Sequence, residues 1–176
     1  MSRLILVTGG ARSGKSRFAE ARLAELAPAG PWLYLATAEA LDAEMHERIA
    51  RHRQRRGELW RTVEAPRDAA AALSRELGDG HTGAALLDCV TLWLSNRLFD
   101  GLDDDAILAE TDGLAAAARA APSPVVLVTN EVGSGIVPDN ALSRRYRDLA
   151  GWANQRLAAA ADEVVLVACG LPLRLR

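Results

Sequence analysis

The amino-acid sequence predicts an α/β fold, a mostly parallel sheet with helices on both faces. Three observations carry that prediction. Short apolar runs of strand length alternate with longer helical stretches along the chain, the pattern that parallel strands with crossover helices leave in a sequence. The first run, Leu4–Thr8 (LILVT), is rich in β-branched and aliphatic residues without polar alternation, as a strand covered on both faces should be. A glycine-rich segment then stands directly between that run and a helix.

Taken in order, helical sequence follows the first strand from Lys15 to about Ala27. Trp32–Ala36 reads as a second strand, about Ala40–Arg56 as a helix, and Trp60–Glu64 as a short strand. A helix over about Arg67–Leu77 precedes the buried strand Ala84–Asp88. Helices over about Val90–Phe99 and Asp103–Ala121, the strand Val125–Thr129, a helix over Leu142–Ala161 and the strand Val164–Ala168 complete the set. The stretches GDGHTG from Gly78 and APSP around Pro122 carry turn residues and read as surface loops. No repeat, low-complexity linker or second composition divides the chain, so residues 1–176 are expected to form one domain.

A chain of 176 residues buries a substantial core, and 49% hydrophobic with 25% charged residues is ordinary for a soluble protein. The formal net charge of −2 excludes the broad cationic footprint that grips nucleic-acid backbones. The two cysteines, Cys89 and Cys169, lack metal-ligand spacing and are expected as free thiols in a reducing compartment. No signal-peptide pattern or membrane-length apolar run is present, so a soluble, cytoplasmic protein with no membrane span is expected.

Of the 21 basic residues, Lys15 alone is lysine. It stands in Gly9-Gly10-Ala11-Arg12-Ser13-Gly14-Lys15-Ser16, which satisfies G-x-x-x-x-G-K-[ST] in full, with a buried strand before it and a helix after. This is the phosphate loop of a P-loop NTPase domain. Glycines let backbone wrap an anion closely, while loop N–H groups and the helix N-terminus supply partial positive charge. Lys15 is placed to reach the β- and γ-phosphates of a nucleoside triphosphate, and the Ser16 hydroxyl to ligate Mg²⁺. A compact ammonium on a flexible stem suits the space between phosphate oxygens better than a guanidinium. Asp88, at the end of the run AALLD, is the candidate acid for Mg²⁺ or nucleotide. Its other reading is an N-cap for the helix that follows.

Within the helix expected over Ala40–Arg56, Leu41, Met45, Ile49 and His52 recur at spacings of four, four and three and share a face. His52 thereby points toward the protein body, and His46 lies roughly a quarter turn from that stripe. The run Arg51–Arg56 (RHRQRR) surrounds His52 with guanidinium groups. Neighbouring positive charge lowers a histidine's pKa and keeps it neutral and nucleophilic. A solvated basic face with an ordinary histidine fits the same residues.

The ordered set GGARSGKS, RIARHRQRR, WRTVEAP, LLDCVTLWLSN, VTNEVGSGIVPDN and RRYRDLAGWANQRLAAAADEVVLVACGLPL is more specific than the phosphate loop alone. From Leu4 to about Leu173 it resembles the bifunctional adenosylcobinamide kinase / adenosylcobinamide-phosphate guanylyltransferase family of cobalamin biosynthesis. The resemblance implies that ATP or GTP phosphorylates adenosylcobinamide and that GTP then transfers GMP to adenosylcobinamide phosphate through a guanylylated histidine. It assigns that histidine to His52, with His46 as the reserve. It also implies a nucleotide-contacting turn at Thr37, Ala38 and Glu39, further GTP contacts at Arg53, Gln54, Arg55, Arg56 and Glu64, and an acidic site position at Asp88. The loop Asn130–Asn140 is expected near the substrate end of the sheet, with backbone freedom from Gly133 and Gly135. A homo-oligomer, a trimer, is implied as well. Trp93, Leu94 and Leu98 could serve either its interface or the core. Apart from the resemblance, a small-molecule kinase without nucleotidyl transfer and a nucleotide-driven switch module both remain compatible with the motifs.

Overall fold

The structure, a computed structural model, describes residues 3–39, 57–78 and 80–176. Seven strands and five helices lie among them: β1 (Leu4–Thr8), α1 (Lys15–Leu26), β2 (Trp32–Ala36), β3 (Trp60–Glu64), α2 (Ala69–Leu77), β4 (Ala84–Asp88), α3 (Val90–Phe99), α4 (Asp104–Ala120), β5 (Val125–Val128), α5 (Ala141–Ala160), β6 (Glu163–Ala168) and β7 (Leu171–Arg174). All strands join one sheet in the order β3-β2-β4-β5-β1-β6-β7. Every pairing is parallel except β6 with β7.

Alternation along the strands decides what each helix covers. Ile5, Val7, Leu86, Val126, Val128, Val165 and Val167 point to one face, where Ala19 and Leu23 of α1 close over them. Leu4, Leu6, Leu33, Leu35, Leu87, Val125 and Leu127 point to the other, against α2, α3, α4 and α5. With both faces covered the central strands β1, β4 and β5 have little need of polar positions, which is why they read as apolar runs. Trp93 and Leu94 are 2% and 0% exposed, and Leu98 is buried too. All three belong to the core, and the interface alternative for them falls away.

Side-chain caps start two of the helices. Asp103 accepts from the Ala106 N–H and Asn140 from the Ser143 N–H, each at 2.8 Å, occupying donors that a helix N-terminus otherwise leaves open. These caps put the starts of α4 and α5 within a residue of the expected positions.

The strand β7 was not among the expected elements. It pairs with β6 through the two-residue turn Cys169-Gly170, both at positive φ (53° and 80°), the twist-matched geometry of a tight hairpin. Cys-Gly lacks the asparagine or aspartate that signals such a turn, and Pro172 argues against a central strand. Here it occupies the sheet edge, where all four β7 residues are exposed. The helix expected over Ala40–Arg56 lies outside the described residues. No helix among the described residues is long and apolar enough to cross a membrane.

Because Leu86 is fully buried in a central strand, while Phe99 is 74% exposed, the two make a paired test of this core. Leu86→Ala is expected to cost about 2–5 kcal/mol in denaturant unfolding, and Phe99→Ala to stay within about 0.5 kcal/mol of the wild type.

Candidate active site

Because β1 to β6 run parallel, their C-terminal ends share one rim. Across the sheet Val7 pairs with Val128, Val128 with Asp88, Asp88 with Ala36, and Ala36 with Glu64. Asp88 and Glu64 thus end their strands level with the last residues before the glycine loop. The chain steps to one side of β1 to build β2 and to the other to build β6. Ligands of parallel sheets bind outside the strand ends at such a reversal.

The loop from Gly9 to Gly14 bridges β1 and α1 under tight steric limits. A Cβ on Gly9 would lie 2.4 Å from the Val167 carbonyl oxygen and 2.7 Å from Ser13 Oγ, so no side chain fits. Gly14 sits at φ 95°, and a Cβ there would come within 3.2 Å of the Gly170 Cα. At Gly10 a Cβ would meet nothing within 4 Å. The loop is therefore pressed against β6 and its turn at Gly9 and Gly14 and is open at Gly10. Two hydrogen bonds fix its path: Ser13 N–H donates to the Gly10 carbonyl at 3.2 Å, and Gly170 N–H to the Ser13 carbonyl at 2.8 Å. Ala11 and Arg12 form its exposed crest, Arg12 at φ 57°.

Electrostatically the loop is prepared for an anion. Gly14 caps α1 without a side-chain acceptor, and no acidic residue occupies the first turn, so the positive end of the helix is not answered there by a carboxylate. The Lys15 side chain is buried and curls over the loop, its Nζ donating to the Gly10 carbonyl at 3.1 Å. Ser13 Oγ is buried without a hydrogen-bond partner. Ser16 follows in the first turn, half-buried. Backbone N–H groups, a helix end and an ammonium converging on an open concavity can hold a polyphosphate.

The acidic side of the rim begins at Asp88. Its carboxylate accepts from the Tyr34 hydroxyl at 3.2 Å. The N-cap of α3 is Cys89, with no side-chain cap bond, so Asp88 does not serve as the helix cap that its position also allowed. Asp88 and Ser16 offer hard oxygen donors of the kind Mg²⁺ takes alongside phosphate and water. Among the described residues no cluster of three or more His, Cys, Asp or Glu could hold a metal by itself. The donor set therefore fits an ion that arrives with a nucleotide rather than a closed protein cage.

The turn after β2 is built around Thr37. Its hydroxyl is fully buried, donating to the Cys89 carbonyl and accepting from the Cys89 N–H, both at 2.8 Å. It clasps the ends of β2 and β4 together. Ala38 is half-buried, and Glu39 is held by the Arg67 guanidinium, which also binds Asp100. Glu64 ends β3 exposed on the rim. His52, Arg53, Gln54, Arg55 and Arg56, with the reserve His46, lie outside the described residues.

The sequence expected the loop Asn130–Asn140 near the substrate end, but not the residue-level roles of the polar group that opens it. Directly after β5, Thr129 donates to Asn154 Oδ1 at 2.7 Å, and Asn130 Nδ2 donates to Thr91 Oγ1 at 2.6 Å. The Thr8 hydroxyl donates to the Glu131 carboxylate at 2.8 Å, and the Glu131 N–H to the Gly9 carbonyl at 3.1 Å. This network binds the start of the loop after β5 to the start of the phosphate loop. The signal was available: three polar residues, TNE, directly follow the all-apolar VVLV.

Cys89 lies beneath this rim. Burial, and then the negative charge of Asp88, push its thiol up to about 11, against smaller opposing effects that include Lys15. Both the ammonium and the carboxylate thus act on one sulfur. Burial likewise pushes Tyr146 up to about 12, its hydroxyl donating to the Thr91 carbonyl.

Comparison with known proteins bears on the whole chain. Residues 5–175 match the CobU family, described as cobinamide kinase / cobinamide phosphate guanyltransferase. The bifunctional adenosylcobalamin biosynthesis protein CobU of Escherichia coli K12 is 47% identical over 185 aligned residues, covering 98% of this chain and 99% of that protein. The protein of the same name from Salmonella typhimurium LT2 is 46% identical with the same coverage. The bifunctional adenosylcobalamin biosynthesis protein CobP of Pseudomonas aeruginosa PAO1 is 45% identical over 171 residues, 97% of this chain and 96% of the relative.

The contrast between the buried Cys89 and the exposed Cys169 gives a direct check of the rim. With a thiol reagent near neutral pH, the native protein is expected to label at Cys169 only, and the denatured chain at both. Because the folded state raises the Cys89 pKa from 9.0 to about 11, it binds that proton more tightly than the unfolded chain. The associated stability is present below pH 9 and is lost as the pH rises toward 11. That loss is expected to be about 2–3 kcal/mol, and Cys89→Ala to flatten the unfolding-energy profile over this window.

Proposed function

The chain belongs to the cobinamide kinase / cobinamide phosphate guanyltransferase family, and from that membership we infer that it performs two successive transfers at one rim. In the first, the terminal hydroxyl of the aminopropanol arm of adenosylcobinamide takes the γ-phosphoryl group of ATP or GTP. In the second, GTP gives GMP to the new phosphate, pyrophosphate leaves, and adenosyl-GDP-cobinamide results. The observation that carries the reading is the anion-ready phosphate loop, with its uncapped helix end and buried Lys15, in a chain aligned to the family almost end to end.

The residue roles in this reading come from the family resemblance, and the geometry of the described residues supports them. Gly9, Gly10, Ala11, Arg12, Ser13 and Gly14 wrap the polyphosphate with backbone N–H groups, and Ser13 Oγ gains the partner it lacks. Lys15 leaves the Gly10 carbonyl for the β- and γ-phosphate oxygens and stabilises the charge that develops during transfer. Ser16 and Asp88 hold Mg²⁺, with Tyr34 orienting the carboxylate. When bound, the ion screens the phosphates and favours an in-line displacement. The resemblance assigns Thr37, Ala38, Glu39, Arg53, Gln54, Arg55, Arg56 and Glu64 to contacts with the rest of the nucleotide, Thr37 acting through its clasp on Cys89.

Phosphoryl transfer to an alcohol asks mainly for positioning and charge stabilisation. Guanylyl transfer is different, because attack falls on the α-phosphorus. A neutral His52 nitrogen attacks there, an N–P bond forms, and the bond to the leaving pyrophosphate breaks. A phosphate oxygen of adenosylcobinamide phosphate then displaces the histidine from that phosphorus and restores it. Splitting the transfer lets the bulky acceptor enter after pyrophosphate has gone.

In this reading residues 1–176 work as one domain, consistent with a single sheet joining every described strand. The protein is cytoplasmic, acts on no nucleic acid, and assembles as a homo-oligomer, a trimer. Exposed Trp152, Leu171 and Leu173 are candidates for such contacts.

Incubation with Mg²⁺ and GTP labelled at the α-phosphate is expected to leave acid-labile, alkali-stable label on the denatured wild-type protein and none on His52→Ala. Label absent from wild-type protein that binds GTP would reduce the activity to a simple kinase. Lys15→Ala is expected to lower kcat/KM of the kinase step by about 3 kcal/mol, roughly 100-fold.

A further inference from the structure

We propose that the loop after β5, with Val132, Ile136 and Val137 as its contact surface, is the binding platform for the corrin ring of the acceptor. This rests on the two-transfer reading and adds to it the place where the large substrate sits.

Three observations lead there. First, the loop carries the most exposed large apolar side chain among the described residues, Ile136 at 97%, with Val137 at 60% and Val132 at 37% nearby. Three exposed apolar side chains within six residues, on a loop tied to the phosphate loop, are available to contact a ligand bound at that rim. Second, the loop is rooted in the phosphate site. Glu131 bonds to Gly9 through its N–H and to Thr8 through its carboxylate, and Asn154 Nδ2 donates to the Asn130 carbonyl. At its far end, Arg144 donates to the carbonyls of Pro138 and Asp139, and Asn140 caps α5. The apolar segment is held between two fixed feet, one of them resting on the phosphate loop.

Third, the glycines of this segment are not required by the conformation it adopts. Neither Gly133 nor Gly135 has a positive φ, and a Cβ on either would meet nothing within 4 Å. Among the described residues no hydrogen bond is made by residues 132–137. Backbone freedom at these positions is therefore in reserve for another conformation, such as one that follows the outline of a bound ligand.

The chemistry of the acceptor selects the occupant. Its reacting hydroxyl must lie within bonding distance of a phosphate on the loop at Gly9–Ser16, so the rest of a large molecule has to rest on whatever borders that loop. A corrin macrocycle bears methyl groups on its faces and amides at its edge. Val132, Ile136 and Val137 match the methyls, and the free backbone amides and carbonyls of residues 132–137 match the edge. A triphosphate needs none of these features.

The test is Ile136→Asp combined with Val137→Asp. Adenosylcobinamide binding is measured by equilibrium dialysis, using corrin absorbance, in the presence of a non-hydrolysable GTP analogue. Analogue affinity, kinase KM for adenosylcobinamide and solution mass are recorded in parallel. Both side chains are exposed, so the fold is expected to be retained. The expected result is corrinoid binding and kinase KM weakened about tenfold or more by burial of the introduced charge, with analogue affinity and mass unchanged. Unchanged corrinoid binding would overturn the proposal. So would weakening that appears only as the assembly dissociates, since the loop would then be a contact between copies. If wild-type protein binds the corrinoid but does not phosphorylate it, and the variant loses binding, the platform stands and the kinase reading fails. If wild-type protein does not bind the corrinoid at all, the platform falls.

Discussion

The phosphate loop lies so close to the end of β6 that no side chain fits between them at Gly9. That contact is the constraint on which the site depends. With the Val167 carbonyl and Ser13 Oγ both inside the reach of a Cβ, the loop cannot relax toward the sheet. Gly170, donating to the Ser13 carbonyl, keeps it from lifting away. Dipoles held this rigidly cost no reorganisation when charge develops on a bound phosphate. The β6–β7 hairpin, though at the sheet edge, therefore acts as a brace. Its positive-φ turn is shaped by the need to bring Gly170 against Gly14.

From that fixed point the rest of the rim takes its position through the sheet. Parallel register carries the level of Val7 to Val128, then to Asp88, Ala36 and Glu64. Two clasps lock the intervening turns: Thr37 on the Cys89 backbone and Glu131 on Thr8 and Gly9. The result is an arrangement in which cation and helix end lie on one side and carboxylates on the other. Metal-assisted chemistry on a polyphosphate requires both.

Much of this was legible from residue pattern, and the exceptions have physical causes. The apolar runs bound β1, β2 and β4, because a strand covered on both faces has few polar positions to blur it; β3, the mixed WRTVE at the sheet edge, was bounded without that help. The G-x-x-x-x-G-K-S spacing located the loop, since chemistry confines glycine to positions where a Cβ would strike backbone. Asp88 was found, but its capping alternative could be excluded only by seeing Cys89 at the N-cap. The hairpin was missed because Cys169 takes positive φ without the residue type that normally reports it. The resemblance implies a nucleotide contact at Thr37, yet its hydroxyl is committed to two backbone partners, a pairing across the chain that no local pattern encodes. Glu131 lies in the polar run TNE and in the loop the resemblance singles out, but its partners, Thr8 and Gly9, are too distant in sequence for that run to name them. His52 lies outside the described residues, and its role rests on the resemblance and on helical period.

Nucleotide binding in this reading depends on the steric fit of the loop at Gly9. Calorimetric titration of Mg²⁺–GTP into the wild type and into Gly9→Ala tests it most directly, with circular dichroism as a check on the fold. Saturable binding to the wild type is expected, with affinity weaker by about 100-fold or more in the variant, at unchanged secondary-structure content. Wild-type affinity in Gly9→Ala would contradict it, because the methyl group has no room unless the loop moves, and a loop free to move would not be the rigid cradle described.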